Sequence, residues 1–247
     1  MRFLCLPGGY SNAKALQSQM GPLCESLQST GDATFFFTQG TTPVTCPPEY
    51  AGFFGPPPNF TFGRVDDPEL LSFNMRDFPK RETPEATMQW AIDKAGNPAF
   101  PSIASVVDRL IDILDREGDI EGIIGYSEGA EIAGSLILEE DRRRKAYGRI
   151  PRLKCAVLMC GWPPKDPVTG EIILADEDSD EAVITIPTLH VVGAADPYLD
   201  ASMALYNLCD PDQADLFDHG SGHVIPRTKH ICDDLSTVLR DMIVSVC

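Results

Sequence analysis

The sequence predicts an α/β fold in which helices cover both faces of a doubly wound, mostly parallel sheet. Short apolar stretches of strand length alternate with longer segments whose apolar residues recur at helical spacing, a pattern typical of parallel sheets. The chain has 247 residues, 43% of them hydrophobic, which is enough to bury one sizeable core. We therefore expect a single domain spanning residues 1–247.

The N-terminal segment predicts a strand, a helix and a second strand. Residues 2–6 form a short apolar run, and residues 12–30 carry apolar side chains at helical spacing with Asn12 at the N-cap position. Residues 33–38 are aromatic and bounded by glycines, so we expect a second, buried strand. Such a unit gives a parallel pair with a right-handed crossover.

A long segment without regular periodicity follows, from residue 41 to about residue 84. It holds nine of the 21 prolines and six of the 12 phenylalanines. Loops of this length in a compact domain are usually functional or disordered, and the aromatic content argues against disorder. The sequence therefore predicts a long, lid-like aromatic loop over the site, inserted after the second strand.

Strand and helix then alternate to the C-terminus. Helices are predicted at 85–95, at 102–116, after residue 127, and at about 200–208 and 228–246, and strands just before Ser127 and at 153–160, 188–192 and 214–217. The charged run at 139–145 predicts a solvated helix end. In such sheets ligands bind beyond the carboxyl ends of the strands, so we expect the site in the loops there.

Composition excludes several classes of protein. A net charge of -17 argues against binding to nucleic acid or to an anionic membrane surface, because both need basic patches. The eight cysteines include no CxxC pair and predict free thiols rather than disulfides. The first strand leaves no room for an apolar secretory segment, so we expect a cytoplasmic protein.

Gly125, Ser127 and Gly129 form the Gly-x-Ser-x-Gly pattern of a nucleophile elbow, in which a serine stands on a sharp turn between strand and helix. Glycine at both flanking positions lets the strand and the helix approach each other. The helix that begins there aims free N–H groups at an oxyanion formed on the serine. Because so short a pattern also arises by chance, the predicted strand before it and helix after it carry the argument.

A serine hydroxyl needs a neighbouring imidazole to take its proton, and that imidazole needs a carboxylate to orient it. Asp196 follows a predicted strand, and His223 lies in a glycine-containing loop after the last strand. The order Ser, Asp, His along the chain is that of α/β-hydrolases. The sequence thus predicts Ser127 as nucleophile, His223 as base and Asp196 as acid. We prefer Asp196 to Asp200 because Asp200 falls where the next helix begins.

The other histidines offer alternatives for the base. His190 lies inside an apolar strand and His230 inside the last helix, so we interpret both as structural. His219 shares a loop with His223 and is the alternative base. A metal site built on His219 and His223 would need a helix between them, which the intervening glycines oppose, and no Cys or carboxylate cluster completes the set. No G-x-G-x-x-G or Walker A loop follows a predicted strand, so we expect neither a metal nor a bound nucleotide.

Motifs along the whole chain resemble those of the fungal serine hydrolases often abbreviated FSH, a branch of the α/β-hydrolase fold. The segments that carry the resemblance are Leu4–Gly8, Thr45–Pro48, Phe53–Pro56, Gly125–Gly129, Gly161–Pro164, Gly193–Asp196 and Gly222–Pro226. Together they are far more specific than the elbow alone.

The resemblance implies the same three catalytic residues. It also implies an oxyanion hole made by the backbone N–H of Glu128 and by one N–H of the loop after the first strand. The family usually has histidine at the position of Pro7. The choice between Gly9 and Tyr10 as the second donor is therefore open.

Hydrolysis of an ester or thioester, without a cofactor, is the activity that the resemblance implies, with several members releasing or trimming acyl chains in fungal polyketide pathways. The implied partners are a small-molecule acyl ester or thioester and, for a carrier-bound thioester, the acyl carrier domain of a polyketide synthase. The alternatives are an acyl-transfer or aldol-type step on the same fold, and a catalytically silent ligand-binding protein. The presence of all three triad residues disfavours silence.

Aromatic residues near these loops predict the substrate pocket. Phe53, Phe54, Phe60 and Phe62 lie in the proline-stiffened loop, and Trp162 follows a core strand. If their rings overhang the nucleophile, they favour a medium-to-long or aromatic acyl group. A plain core role is the alternative, because aromatic rings are common in protein interiors.

Overall fold

Strands and helices alternate along the part of the chain that the structure, a computed structural model, describes: residues 1–46, 54, 56–63, 80–95, 103–176 and 183–247. The strands are β1 (Arg2–Leu6), β2 (Thr34–Phe37), β3 (Thr42–Val44), β4 (Asn59–Thr61), β5 (Gly122–Tyr126), β6 (Cys155–Met159), β7 (Thr188–Val192) and β8 (Ala214–Asp218). The helices are α1 (Ala13–Gln19), α2 (Gly21–Ser29), α3 (Pro84–Ala95), α4 (Ile103–Glu117), α5 (Glu128–Tyr147), α6 (Leu199–Tyr206) and α7 (Lys229–Val246).

A six-stranded sheet has the order β2-β1-β5-β6-β7-β8, and every neighbouring pair in it is parallel. The predicted parallel sheet is therefore confirmed. After β1 the chain continues to β2 on one side of the sheet, and after β5 it continues to β6 on the other side. The loops after β1 and β5 therefore diverge and leave a crevice at the carboxyl edge. One of these loops begins at Pro7 and the other at Ser127. The topology thus places the predicted elbow beside the first loop.

Side chains alternate along the strands and build two cores, one on each face of the sheet. Leu4 and Leu6 of β1 pack with residues of α4 and α5 on one face. Phe3 and Cys5 pack with residues of α1, α2 and α7 on the other. Helices therefore cover both faces, as predicted, and β1 is held between two packed layers.

The segment predicted as one helix, residues 12–30, is two helices that meet at Met20. Asn12 caps α1 as predicted, since its Oδ1 accepts the Ala15 N–H at 2.9 Å. Pro22 has no N–H to donate, so it is tolerated in the first turn of a helix but not in a helix interior. It stands in the first turn of α2. Because apolar residues keep helical spacing on both sides of Met20, the sequence pattern did not reveal this break.

β2 is an edge strand of the sheet, with β1 as its strand neighbour. Its residues are half-buried or exposed, so the prediction of a buried strand is wrong. The rings of Phe35 and Phe37 pack against the core on one face and that of Phe36 against the core on the other. An apolar run does not reveal whether its strand will lie at an edge or in the centre of a sheet.

The predicted long loop contains a short antiparallel pair, β3 and β4, in which Thr42 faces Thr61. The prediction of an irregular loop from 41 to 84 is wrong for these residues, because strands this short show no detectable period. The Phe60 N–H of β4 donates to the Ser11 carbonyl at 2.9 Å, which ties the aromatic segment to the first loop. Residues 47–53, 55 and 64–79 of the predicted lid lie outside the described residues.

The charged run at 139–145 is not a fully solvated helix end. Glu139 and Glu140 are only 4% and 2% exposed, which corrects the prediction. Glu139 is paired with two arginines of the following turn. Glu140 accepts the backbone N–H groups of Arg152 and Leu153, both at 3.0 Å. Buried carboxylates are tolerated when paired in this way.

All eight cysteines lie in the described part of the chain and none of them forms a disulfide there, as predicted. Among the helices of the described residues, none combines the length and the apolar character that crossing a membrane requires.

Candidate active site

Ser127 occupies a strained turn between β5 and α5. Its backbone angles, φ 54° and ψ -119°, lie outside the regions that residues other than glycine ordinarily adopt. The Ser127 N–H donates to the Met159 carbonyl at 2.9 Å, and the Ser127 carbonyl accepts the Ala130 N–H at 2.9 Å. A neighbouring strand and the first helical turn therefore hold the strained turn in place. This geometry is that of the predicted nucleophile elbow.

The two glycines of the elbow are required by close backbone contacts. A Cβ atom on Gly125 would lie 2.3 Å from the Gly129 carbonyl oxygen, and one on Gly129 would lie 2.3 Å from the Leu6 carbonyl oxygen. The absence of a side chain at both positions lets α5 begin directly against β1 and β5. The physical reason given for glycine in the motif is therefore confirmed.

Replacing Gly129 by alanine is expected to destabilise the protein by about 1–3 kcal/mol, because the new methyl group overlaps fixed backbone atoms. Urea unfolding followed by circular dichroism measures the loss. Gly21→Ala is the matched control: a Cβ atom there meets nothing within 4 Å apart from its chain neighbours, so this variant, crowded only by the Pro22 ring, is expected to lose less stability than Gly129→Ala. Equal stability of Gly129→Ala and wild type would contradict the packing argument.

The structure brings Ser127, His223 and Asp196 together through two hydrogen bonds. His223 Nε2 lies 3.0 Å from Ser127 Oγ, and His223 Nδ1 lies 2.8 Å from Asp196 Oδ2. The Asp196 side chain is 1% exposed, whereas that of His223 is 16% exposed. The second carboxylate oxygen, Asp196 Oδ1, accepts the Tyr198 N–H at 2.8 Å. The carboxylate is thus buried, fully engaged and fixed relative to the imidazole.

Two tyrosines position the imidazole, and sequence reasoning missed both roles. The Tyr126 hydroxyl donates to the His223 carbonyl at 2.9 Å, and burial raises the pKa of this hydroxyl, which keeps its proton. The Tyr198 ring stands edge-on to the imidazole, with centroids 5.0 Å apart. Tyr126 directly precedes the nucleophile, and Tyr198 lies two residues after Asp196. This closeness to the motif residues is the sequence feature that could have indicated both roles.

The remaining histidines have other contacts. Burial lowers the pKa of His190 to about 3, and its Nε2 lies 3.2 Å from Thr188 Oγ1. His230 is exposed on α7. His219 is buried, and its Nδ1 accepts the Ser221 N–H at 3.3 Å. Among the described residues, none of these three imidazoles forms a hydrogen bond with the serine of the elbow.

Asp200, the alternative acid, has a different partner. It lies in the first turn of α6, and its Oδ2 accepts the Thr87 hydroxyl at 3.0 Å. The Asp200 side chain therefore ties α6 to α3, whereas Asp196 contacts His223.

The predicted oxyanion donors lie on two segments that touch each other. A Cβ atom built on Gly8 would lie 3.1 Å from Ser127 Cβ, so the first loop packs directly on the elbow. Glu128 begins α5, and Tyr10 has a positive φ of 57°. Within the described part of the chain, the backbone N–H groups of Glu128, Gly9 and Tyr10 donate no hydrogen bond. Among the described residues these three N–H groups therefore have no backbone acceptor, the state that an oxyanion donor requires.

The aromatic residues of the predicted pocket occupy different surroundings. The ring centroids of Phe54 and Tyr10 lie 5.4 Å apart. Phe54 and Phe60 line a surface groove of about 750 Å³ beside α1. Phe62 is 2% exposed and packs in the core, the alternative left open for these rings. Trp162 contacts the Tyr198 ring at 5.8 Å, next to the imidazole. Phe53, the remaining predicted pocket residue, lies outside the described residues.

The one group of possible metal ligands found among the described residues overlaps the same site. Ligand atoms of Cys160, Asp196 and His223 lie within 4.8 Å of one another. His223 Nδ1 and Asp196 Oδ2 are already bonded to each other. Burial and the charge of Asp196 raise the pKa of the Cys160 thiol, which opposes the thiolate that a metal needs. These three side chains therefore fit the hydrogen-bonded pair of His223 and Asp196 better than a metal site.

The sheet, the two helical layers and the elbow define an α/β-hydrolase fold. Solved structures support this class: a monoacylglycerol lipase of Paleococcus ferrophilus has a TM-score of 0.55 and 13% identity, with 100% of this chain and 95% of that one covered. Arabidopsis thaliana SOBER1 has a TM-score of 0.53 and 16% identity, with 98% and 99% covered. At this identity the likeness concerns the fold alone.

The chain belongs to the serine hydrolase (FSH1) family, whose profile matches residues 1–235. The curated protein "Esterase FPY3" of Fusarium mangiferae is 27% identical over 248 residues, with 98% of this chain and 97% of that protein covered. "Esterase citA" of Monascus ruber is 26% identical, with 91% and 85% covered. The protein is thus a hydrolase of the esterase type, and the resemblance drawn from its motifs is confirmed.

Proposed function

We propose that this protein hydrolyses an ester or thioester bond of an acyl substrate, with Ser127 as nucleophile, His223 as general base and acid, and Asp196 as the residue that orients His223. The hydrogen-bonded chain from the strained serine through the imidazole to a buried carboxylate carries the proposal. That arrangement activates a hydroxyl that is otherwise a weak nucleophile. Family membership supports the reaction class.

The first half of the proposed reaction forms an acyl-enzyme. His223 Nε2 takes the hydroxyl proton of Ser127 while Oγ bonds to the acyl carbonyl carbon, and the carbonyl electron pair moves onto oxygen. When the tetrahedral intermediate collapses, the bond to the leaving alcohol or thiol breaks and that group receives the proton from His223. Asp196 remains ionised and stabilises the imidazolium.

The second half consumes one water molecule. His223 takes a proton from that water, whose oxygen attacks the acyl carbon. Collapse then returns the proton to Ser127 Oγ and releases the free acid. In both halves the oxyanion would be held by the Glu128 N–H, at the positive end of α5, and by an N–H of Gly9 or Tyr10. The free state of these donors supports the assignment.

The proposed acyl group is medium to long, or aromatic. The Phe54–Tyr10 pair lies at the loop after β1, and the Trp162–Tyr198 pair lies beside the imidazole. Both pairs support an apolar pocket. The motif resemblance supports release or trimming of an acyl chain from a polyketide pathway. A carrier domain is the proposed partner if the substrate is a thioester, although a net charge of -17 gives no attraction for its phosphate-bearing arm.

A series of p-nitrophenyl esters and matching N-acetylcysteamine thioesters of increasing chain length tests this function. We expect kcat/KM to rise about fourfold per methylene until the pocket is full, since each buried methylene contributes about 0.8 kcal/mol. Mass spectrometry of the products separates hydrolysis, which gives the free acid, from acyl transfer.

Trp162→Ala is expected to flatten the chain-length dependence. Ile150→Ala, which removes an 84% exposed side chain before β6, is the control and should leave that dependence unchanged. A strict preference for acetyl, with kcat/KM falling as the chain grows, would mean that the aromatic residues close the pocket instead of lining it.

A further inference from the structure

The side chain of Glu128, next to the nucleophile, accepts three hydrogen bonds on one oxygen. Its Oε1 accepts from the Thr61 hydroxyl and from the backbone N–H groups of Phe62 and Gly63, the last two at 3.1 Å. These donors lie at the end of β4, 65 to 67 residues earlier in the chain. Glu128 therefore joins the elbow to the aromatic segment.

That segment is in turn attached to the first loop. Phe60 of β4 pairs with Ser11, and the Tyr10 ring contacts Phe54. A Cβ atom on Gly9 would lie 3.3 Å from Glu128 Oε2, so the carboxyl group also packs against the first loop itself. One side chain thus contacts the elbow, the end of β4 and the loop that carries the second oxyanion donor.

The other carboxyl oxygen, Oε2, is buried and has no hydrogen-bond partner among the described residues. Burial raises the pKa of the Glu128 carboxyl group, and the three hydrogen bonds on Oε1 oppose this shift. An unsatisfied buried oxygen costs stability. Rules that favour stability are most often broken at functional sites, which points to a role in activity for this side chain.

We propose that the Glu128 side chain is a positioning residue that sets the distance between the two backbone donors of the oxyanion hole. The inference rests on the proposed function. The Glu128 N–H is one donor and the first loop supplies the other, so a side chain that holds both segments controls their separation. Misplacing catalytic groups by about 1 Å can cost about 10²-fold in rate.

Glu128→Ala is expected to lower kcat for a p-nitrophenyl ester by about 10²-fold, with a much smaller change in KM, because the oxyanion that the two donors hold forms during the reaction and is absent from the bound substrate. Glu128→Gln keeps an acceptor oxygen at the position of Oε1 and is expected to retain kcat within about fivefold. Thr61→Val removes one of the three donors and should give an intermediate loss.

Glu140→Ala is the matched control. Glu140 lies on the same helix and also accepts two backbone N–H groups, but it does so at the amino edge of the sheet. This variant is expected to lose about as much melting temperature as Glu128→Ala while keeping wild-type kcat.

Wild-type kcat in Glu128→Ala, or equal losses of kcat in Glu128→Ala and Glu140→Ala, would overturn the inference. Glu128→Gln as inactive as Glu128→Ala would do the same, because it would show that the acceptor oxygen is not what matters. A wild-type protein without Ser127-dependent hydrolysis would refute the proposed function and this inference with it.

Discussion

Replacing Ser127 by alanine is expected to lower kcat for ester hydrolysis by about 10⁶-fold, the size of loss that follows removal of the nucleophile from a triad enzyme. Without Oγ no acyl-enzyme forms, and His223 Nε2 loses the group that lies 3.0 Å away. Initial rates with a p-nitrophenyl ester measure the effect. Intact-mass analysis after treatment with a fluorophosphonate should show one adduct on the wild-type protein and none on Ser127→Ala.

The control for this experiment is Ser29→Ala, which removes an exposed hydroxyl at the end of α2. It is expected to keep both the rate and the single adduct. Undiminished labelling of Ser127→Ala would assign the nucleophile to another residue and remove the basis of the proposed mechanism.

Replacing Asp196 by asparagine is expected to lower kcat by about 10⁴-fold while leaving the fold intact. His223 Nδ1 must donate to Asp196 Oδ2, at 2.8 Å, so that Nε2 faces Ser127 as an acceptor. An amide nitrogen at that position favours the opposite tautomer and does not stabilise the imidazolium. Steady-state kinetics together with a thermal melt measures the loss of activity separately from any loss of stability.

Asp200→Asn is the matched control, since Asp200 lies four residues further along and accepts the Thr87 hydroxyl instead. Asparagine keeps an oxygen for that bond, so kcat should remain at the wild-type level and stability should change by less than about 1 kcal/mol. Loss of turnover in Asp200→Asn, with Asp196→Asn intact, would transfer the role of acid to Asp200.

The sequence named the three residues that the structure joins by hydrogen bonds because local rules govern each of their positions. The elbow needs glycine on both sides of Ser127, and the structure shows the backbone contacts that require it. Asp196 and His223 follow strands of a parallel sheet, and such strands end at one edge. Knowing that edge was enough to group residues that are far apart in the chain.

Other predictions failed where the outcome depends on neighbours in space. The aromatic strand β2 was expected to be buried, but its place at the edge of the sheet follows from strand order, which an apolar run does not encode. Glu139 and Glu140 were expected to be solvated, but partners in other turns and loops allow their burial. From sequence, a charged side chain is predicted to be exposed because it is polar. Whether it is buried depends on the partners that surround it in the fold.

By itself, the sequence determined the class of fold, the elbow and the set of candidate triad residues, because these depend on periodicity, on glycine at sterically crowded positions and on the order of strands and loops. The tertiary structure alone decided which tyrosines hold the imidazole and how the Glu128 side chain ties β4 to the elbow. These are contacts between segments 25 to 97 residues apart. Their distances are set by packing of the sheet and its helices, which no local pattern records.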